Sequence, residues 1–274
     1  MATMSATTPV IALDHPAAQD VARVGRKAAA LATARAAGLP VAPGVVLTTD
    51  WATEDRATAT QVWRITSHDG TRPLVVRPSA TGGDRGGAPT AGAVEPVIVV
   101  HDLDAMLAAV AAVRADDDVA PVLVQPHVAG SWRGVLFADD HARGWRSTPV
   151  AVAHREDHPA DWVAELDHTG RVRCVLSAEA VAGPPLDVLA RVARLAQRVT
   201  DELEGPHDLE WLVDPSGRVR LLRVRPVVRL HPTPGVVAPR PNDATCRPTR
   251  SRRRRPVQQG PARVSRRSVD DPAA

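Results

Sequence analysis

Segments typical of strands and of amphipathic helices follow one another in an irregular order along this chain. Apolar residues recur with helical spacing in residues 25–37, 53–65, 102–114 and 186–203, and short runs rich in Val and Leu indicate strands between them. A doubly wound parallel sheet requires strict alternation of strands and helices, which this order lacks. The sequence therefore predicts an α+β fold. Residues 1–19 lack both patterns and predict a loose lead-in.

The second half of the chain predicts two hairpins. In residues 161–176, two strand segments flank the turn Thr169–Gly170. Further on, segments 208–213 and 219–224 flank the turn Asp214–Gly217, whose Asp-Pro-Ser-Gly sequence is typical of a β-turn.

The net charge of +3 belongs to the C-terminal end of the sequence. Residues 231–274 hold ten Arg and three Asp, a balance of +7, which leaves −4 on residues 1–230. A mildly acidic body does not predict a nucleic-acid-binding face. The end segment is rich in Pro and Arg without periodicity, which predicts disorder. Its run Arg252–Arg255 predicts at most weak binding of nucleic acid.

The sequence favours a cytoplasmic protein. Cys174 and Cys246 are two isolated cysteines, which form neither a disulfide framework nor a zinc site. No apolar run approaches the roughly 18 residues that span a membrane. Residues 1–9 show no basic region followed by an apolar stretch, so no secretory signal is predicted.

Lys27 is the one lysine in a chain with 33 arginines. It follows Gly25 at the start of an Ala-rich helical segment. A compact ammonium group beside a helix N-terminus is suited to a polyphosphate ligand. The alternative is a surface lysine without a functional role.

Three further features carry candidate chemistry. Arg77 ends a predicted strand, and a glycine-rich stretch at residues 78–87 predicts a flexible loop. Asp208 and Glu210 alternate on one strand, so their side chains share a face, and paired carboxylates suit Mg²⁺. The alternatives are a structural salt bridge for Arg77, an inert linker for the loop, and a solvated edge strand for the carboxylates.

In this order, the features resemble the N-terminal ATP-grasp domain of phosphoenolpyruvate synthase, pyruvate phosphate dikinase and rifampicin phosphotransferase. The matching stretches are residues 25–31, 38–44, 76–81, 122–125, 134–137 and the two closing strands. No single stretch is specific, but together they follow the family order from about residue 20 to 229. The resemblance implies two lobes with a nucleotide site between them: residues 11–95 and 96–230, followed by the tail 231–274.

The resemblance also implies ATP and Mg²⁺ as cofactors and assigns site residues. The cations Lys27, Arg77 and Arg225 would hold the phosphates, with Arg77 and Arg225 acting in catalysis. Ser79, Thr81 and Gly92 would lie in a loop over the phosphates, and Val124 and Gln125 would lie beside the adenine. Asp208 and Glu210 would bind the metal ion, and Glu210 would also contact the nucleotide. The implied activity is that of an ATP-dependent, kinase-like phosphotransferase. It would pass phosphate from ATP to a histidine on a separate domain or on a phosphohistidine-domain partner acting in trans.

The sequence departs from the family pattern at three places. Arg223 stands where the family has a closing Gln, Ala93 where the loop has a Gln, and residues 147–153 replace a glycine-rich segment. Phosphoryl transfer depends on close placement of metal and donors. These departures therefore leave a second hypothesis open, a non-catalytic module that binds a nucleotide or a partner protein.

Overall fold

The computed structural model describes residues 8–52, 54–81, 98–116, 120–137, 150–155, 158–167, 169–175, 183–204 and 207–226. Within these ranges the chain forms two antiparallel sheets and four α-helices. The predicted mixture of helices and sheet is confirmed. The tail 231–274, the loop residue Gly92 and the departures at Ala93 and residues 147–149 lie outside the described residues.

The first sheet contains five short strands. They are β1 (Val10–Ala12), β2 (Val45–Leu47), β3 (Leu74–Pro78), β4 (Ile98–Val100) and β5 (Val122–Pro126), in the order β1-β2-β5-β3-β4. The expectation of a loose lead-in over residues 1–19 is wrong for its second half, because β1 pairs with β2 and buries Ile11. Three residues are too few to show a strand pattern in the sequence.

The second sheet contains six strands. They are β6 (Trp132–Phe137), β7 (Val150–Arg155), β8 (His158–Leu166), β9 (Val172–Val175), β10 (His207–Val213) and β11 (Val219–Pro226), in the order β11-β10-β6-β7-β8-β9. The two predicted hairpins are confirmed as the antiparallel pairs β8–β9 and β10–β11.

Four α-helices cover the sheets: α1 (Val21–Ala36), α2 (Arg56–Ser67), α3 (Leu103–Asp116) and α4 (Leu186–Glu202). The backbone N–H of Ala105 donates to the Asp102 carboxylate at 2.7 Å, so Asp102 caps α3. In α2 the corresponding cap is Asp55, whose carboxylate accepts from the N–H of Thr58 at 3.0 Å.

Two hydrophobic clusters hold these elements together. In the larger cluster, α1 and α4 pack on the second sheet through residues such as Leu31, Leu189 and Trp211, all of which are fully buried. In the smaller one, α2 and α3 pack on the first sheet, for example through Trp63 and Met106. Each such large side chain contributes roughly 1.5–3 kcal/mol when it is fully buried.

The edge strand β11 of the second sheet bonds to the segment that leads from α1 to β2. The N–H of Leu221 donates to the carbonyl of Pro40 at 3.0 Å, and Val41 forms a parallel bridge with Leu221. Along the chain, the first sheet ends at β5 and the second begins at β6, so the sheets change after residue 126. The sequence-based division at residues 95 and 96 stays a prediction. Among the described residues, no helix is both long and apolar enough to cross a membrane.

The turn between β10 and β11 depends on Asp214, whose side chain is 8% exposed. Its Oδ1 accepts hydrogen bonds from the N–H and hydroxyl of Ser216 (3.0 and 2.6 Å) and from the N–H of Arg218 (2.9 Å), and its Oδ2 accepts from Nε of Arg220 at 2.9 Å. Burial alone would raise the pKa of Asp214, but these hydrogen bonds and the charge of Arg220 outweigh it. They lower the pKa from 3.8 to about 2.

We expect Asp214→Asn to lower the free energy of unfolding by about 2 kcal/mol at pH 7. Because the folded-state pKa is depressed, the contribution of the carboxylate is present above about pH 4 and is lost as the pH falls through about 2. Urea unfolding at pH 7 and at pH 2.5 measures the effect. Asp69→Asn, in an exposed pair with Arg64, is the control and should change stability by about 0.5 kcal/mol or less. Equal losses in the two variants would contradict this account.

Candidate functional site

Helix α1 is broken at Gly25, and the end of β3 fits into the break. Gly25 has φ 76° and ψ 165°, and a Cβ atom there would lie 1.4 Å from the carbonyl oxygen of Ser79. Only glycine tolerates both the backbone angles and the close approach. The hydroxyl of Ser79 bridges the break, donating to the carbonyl of Val24 at 2.7 Å and accepting from the N–H of Ala28 at 3.0 Å.

Arg26 binds the next two residues of the same segment. Its backbone N–H donates to the carbonyl of Ala80 at 3.0 Å, and its Nε donates to the carbonyl of Thr81 at 3.1 Å. Residues 79–81, which lead into the glycine-rich stretch, are therefore attached to α1. We call this set of contacts the α1–β3 joint. Lys27 lies in the first helical turn after the break, where the sequence placed it.

The joint uses groups that the resemblance assigned to phosphate binding. Two N–H groups at the break, those of Arg26 and Ala28, already bond to Ala80 and Ser79. Ser79 itself is fully buried, and its hydroxyl makes both of the bonds described above. Thr81 is exposed and contributes its carbonyl to Arg26. In this structure, Ser79 has a structural role: its two hydrogen bonds hold the end of β3 against α1.

A cleft lies between strands β3 and β5 of the first sheet and strands β6, β10 and β11 of the second. Its polar lining comes from Arg77 and Gln125 of the first sheet and from Arg133 and Glu210 of the second, with His127 between them. Nη1 of Arg77 donates across the cleft to the carbonyl of Leu222 at 3.2 Å. The enclosed space is about 50 Å³, room for a few water molecules.

Strand β5 borders the cleft with its last residues. Gln125 is 5% exposed, and its Nε2 donates to the carbonyl of Ala42 at 3.1 Å, which fixes the amide at the cleft wall. Pro126 also lines the cleft. Val124 is fully buried in the middle of the sheet, paired with Val45 on one side and Val76 on the other.

Each of the two predicted metal carboxylates is paired with an arginine on the neighbouring strand. Oε1 of Glu210 lies 3.2 Å from Nη1 of Arg223, and Oδ2 of Asp208 lies 3.2 Å from Nη2 of Arg225. In both pairs the residues stand directly opposite each other in the β10–β11 register. Asp208 and Glu210 lie on one face of β10, as predicted. The pairing of each carboxylate with an arginine of β11 was not predicted.

This arrangement does not fit Mg²⁺. The ion takes one or two carboxylates together with phosphate oxygens and waters. At Glu210 and Asp208 a guanidinium already holds the carboxylate, and a divalent cation would have to displace it or lie beside it. No group of three or more His, Cys, Asp or Glu side chains that could hold a metal occurs in the part of the chain that the structure describes.

Four arginines and two carboxylates are described at the cleft and on the β10–β11 hairpin beside it. Arg77 of the first sheet and Arg133 and Glu210 of the second line the cleft, while Asp208, Arg223 and Arg225 lie on the hairpin in the pairs given above. Among these six residues the arginines outnumber the carboxylates by two. Among the described residues, the buried Nε of Arg133 has no hydrogen-bond partner. A buried donor without a partner is costly, and an anion in the cleft would satisfy it. The sequence analysis did not identify Arg133. Arg133 lies two residues before Val135 on β6 and therefore on the same face, and Val135 lies opposite Glu210 in the register.

Comparison with known proteins adds similarity at the level of structure alone. No protein-family model matches this sequence, and no curated protein matches it. Among solved structures, the chain is similar to D-alanine–D-alanine ligase from Coxiella burnetii (16% identity, 70% of this chain and 44% of that one, TM-score 0.40). It is also similar to the D-alanine–D-alanine ligase from Bacillus anthracis in complex with ATP (15% identity, 72% of this chain and 53% of that one, TM-score 0.43). A third similar structure is an ADP complex of N5-carboxyaminoimidazole ribonucleotide synthetase (16% identity, 72% of this chain and 43% of that one, TM-score 0.43). The chain spans about half the length of these structures, and likenesses at such TM-scores do not establish its fold family or activity.

We expect Ser79→Ala to destabilise the protein by about 2–3 kcal/mol, because it leaves the carbonyl of Val24 and the N–H of Ala28 buried without a partner. Thermal or urea unfolding measures the loss. Thr60→Ala is the control, since it also removes a hydroxyl bonded to a backbone carbonyl, here that of Arg56 at 2.7 Å, but on an exposed helix face. It should cost less than about 0.5 kcal/mol. A Ser79→Ala protein as stable as the control would refute the role of the joint.

Proposed function

We propose that this chain is a nucleotide-binding domain of the ATP-grasp type and that it binds ATP in the cleft between its two sheets. The observation that carries the proposal is the excess of arginine on the cleft face. ATP is a polyanion with a planar base, and arginine binds phosphate with paired, charge-assisted hydrogen bonds. Such contacts are worth about 1.5–3 kcal/mol each, and micromolar affinity requires about 8 kcal/mol. In the proposed complex, Arg77 and Arg133 of the cleft lining, together with Lys27 and contacts to the base, would supply this free energy.

The order of elements along the chain supports the same proposal. The stretches that resemble the ATP-grasp domain of phosphoenolpyruvate synthase include β3, β5, β6 and the β10–β11 hairpin, and these strands border the cleft. In this proposal the cleft separates two lobes whose boundary lies at residues 127–131, between β5 and β6, and not at residues 95 and 96 as the resemblance implied. Gln125 and the backbone around it border the adenine. Lys27 approaches the phosphates from the side of the α1–β3 joint.

Nucleotide binding requires the cleft to open. A space for a few waters does not admit a nucleotide, so the sheets must separate across the bond from Arg77 to the carbonyl of Leu222. Breaking that bond would release the Arg77 guanidinium for a phosphate oxygen. The buried Nε of Arg133 has no hydrogen-bond partner among the described residues, so a phosphate oxygen would satisfy it.

A second candidate concerns turnover. The resemblance implies transfer of phosphate to a histidine on a partner in trans, with Arg77 and Arg225 contacting the transferred group. The pairing of Asp208 and Glu210 with arginines favours the alternative, a domain that binds ATP without transferring phosphate, because phosphoryl transfer from ATP relies on metal-neutralised charge. ADP formation by the full-length chain in Mg²⁺ buffer distinguishes the two. Steady ADP release would favour transfer, and ATP recovered unchanged after hours would favour binding alone.

Calorimetric titration of ATP into the full-length chain, with Mg²⁺ and separately with EDTA, tests nucleotide binding. We expect micromolar affinity in at least one buffer and a loss of about tenfold or more in Arg133→Met and in Lys27→Ala, since each removes one charged contact. Arg64→Met is the matched control. It removes one exposed arginine from α2, 67% exposed and paired with Asp69, and should leave affinity unchanged.

Two results would contradict the proposal. Absence of ATP binding in both buffers would remove the function itself. Equal weakening in Arg64→Met and Arg133→Met would show that the chain attracts ATP through overall charge and not through the cleft. Near-ultraviolet circular dichroism of each variant confirms that it is folded.

A further inference from the structure

Two arginines pair with Asp208 and Glu210, and the role given to them below rests on the proposed function. On β11, Arg223 lies opposite Glu210 and Arg225 lies opposite Asp208, each at 3.2 Å. The Arg223–Glu210 pair is the more protected from solvent, with side chains 17% and 13% exposed. Water screens a part-buried pair less than a surface pair.

A metal ion and a guanidinium compete for the same carboxylate oxygens. If Mg²⁺ bound to Glu210, the Arg223–Glu210 pair would be broken, and the Arg223 guanidinium would remain within a few ångströms of a divalent cation. The backbone register holds Arg223 there, because β11 is paired with β10 on both sides of the bulge at Leu222. Entry of the metal therefore costs both the lost pair and the repulsion between like charges.

Arg77 and Arg133, which line the cleft, can take over the neutralising role of the metal. A guanidinium offers planar, paired donors that match phosphate oxygens. These two arginines present two positive charges to an incoming anion without any metal ion, while Arg223 and Arg225 stay with their carboxylates. Free ATP carries more negative charge than its Mg²⁺ complex, so this face attracts the free anion more strongly.

We propose that the cleft binds ATP as the metal-free anion, and that Arg223, by holding Glu210, is the specificity-determining residue that excludes Mg²⁺. In this proposal the Arg223–Glu210 pair, and not the chemistry of ATP, determines the preference for the metal-free form. Replacing Arg223 with an uncharged residue of similar length then leaves Glu210 open to the metal.

Titrations of ATP into the full-length chain in EDTA and in excess Mg²⁺ test the proposal. We expect binding in EDTA to be about threefold or more tighter than in Mg²⁺, as expected for an electrostatic preference. Arg223→Gln should reverse this preference, so that Mg²⁺ strengthens binding about tenfold. Arg223→Lys keeps the charge and should keep the wild-type preference. Arg218→Gln, on an exposed turn residue of the same hairpin, is the control and should also keep it.

Electron paramagnetic resonance of Mn²⁺ gives a readout without nucleotide. We expect the wild-type chain to leave the signal of free Mn²⁺ undiminished and Arg223→Gln to reduce it. Wild-type binding of ATP that requires Mg²⁺, or micromolar Mn²⁺ binding by the wild-type chain, would overturn this inference while leaving the proposed function in place. Absence of ATP binding in both buffers would instead overturn the proposed function, and the Mn²⁺ titration would still decide whether Arg223 excludes the metal.

Discussion

The contact between Gly25 and Ser79 is the constraint on which the arrangement of the two sheets depends. It attaches the end of β3, in the first sheet, to α1, which packs on the second. Neither partner can be altered freely, because the break in α1 needs a glycine and the Ser79 hydroxyl satisfies two backbone groups. One consequence concerns the cleft: Arg77, which lies two residues before Ser79, is held at the cleft wall.

Charge on the cleft face follows from strand register. Alternation along β10 brings Asp208 and Glu210 to one face, and pairing with β11 sets an arginine beside each. A pair of carboxylates alone would attract cations, whereas here each carboxylate is neutralised by the arginine opposite it. The chemistry of the site is therefore decided less by which residues occur than by which of them lie opposite each other.

Local patterns in the sequence predicted most of the secondary structure, because helix periodicity, the Asp102 cap and the Asp214–Gly217 turn are encoded within a few residues. The pairing of Glu210 was not predictable in this way. Counting back from the turn places Leu222 opposite Glu210, but a β-bulge between Glu210 and Trp211 shifts the partner to Arg223. The bond from Arg77 to Leu222 joins residues far apart in sequence, and β1 is only three residues long, so neither leaves a local signal.

The central claim is that ATP occupies the cleft, and hydrogen–deuterium exchange of the full-length chain with and without ATP tests its location most directly. We predict slower exchange in peptides covering β3 with residues 79–81, β6, and the β10–β11 hairpin, and unchanged exchange in α2 and α3. Protection confined to α2, or to the second pocket lined by Asp14, Arg35 and His68, would contradict the account.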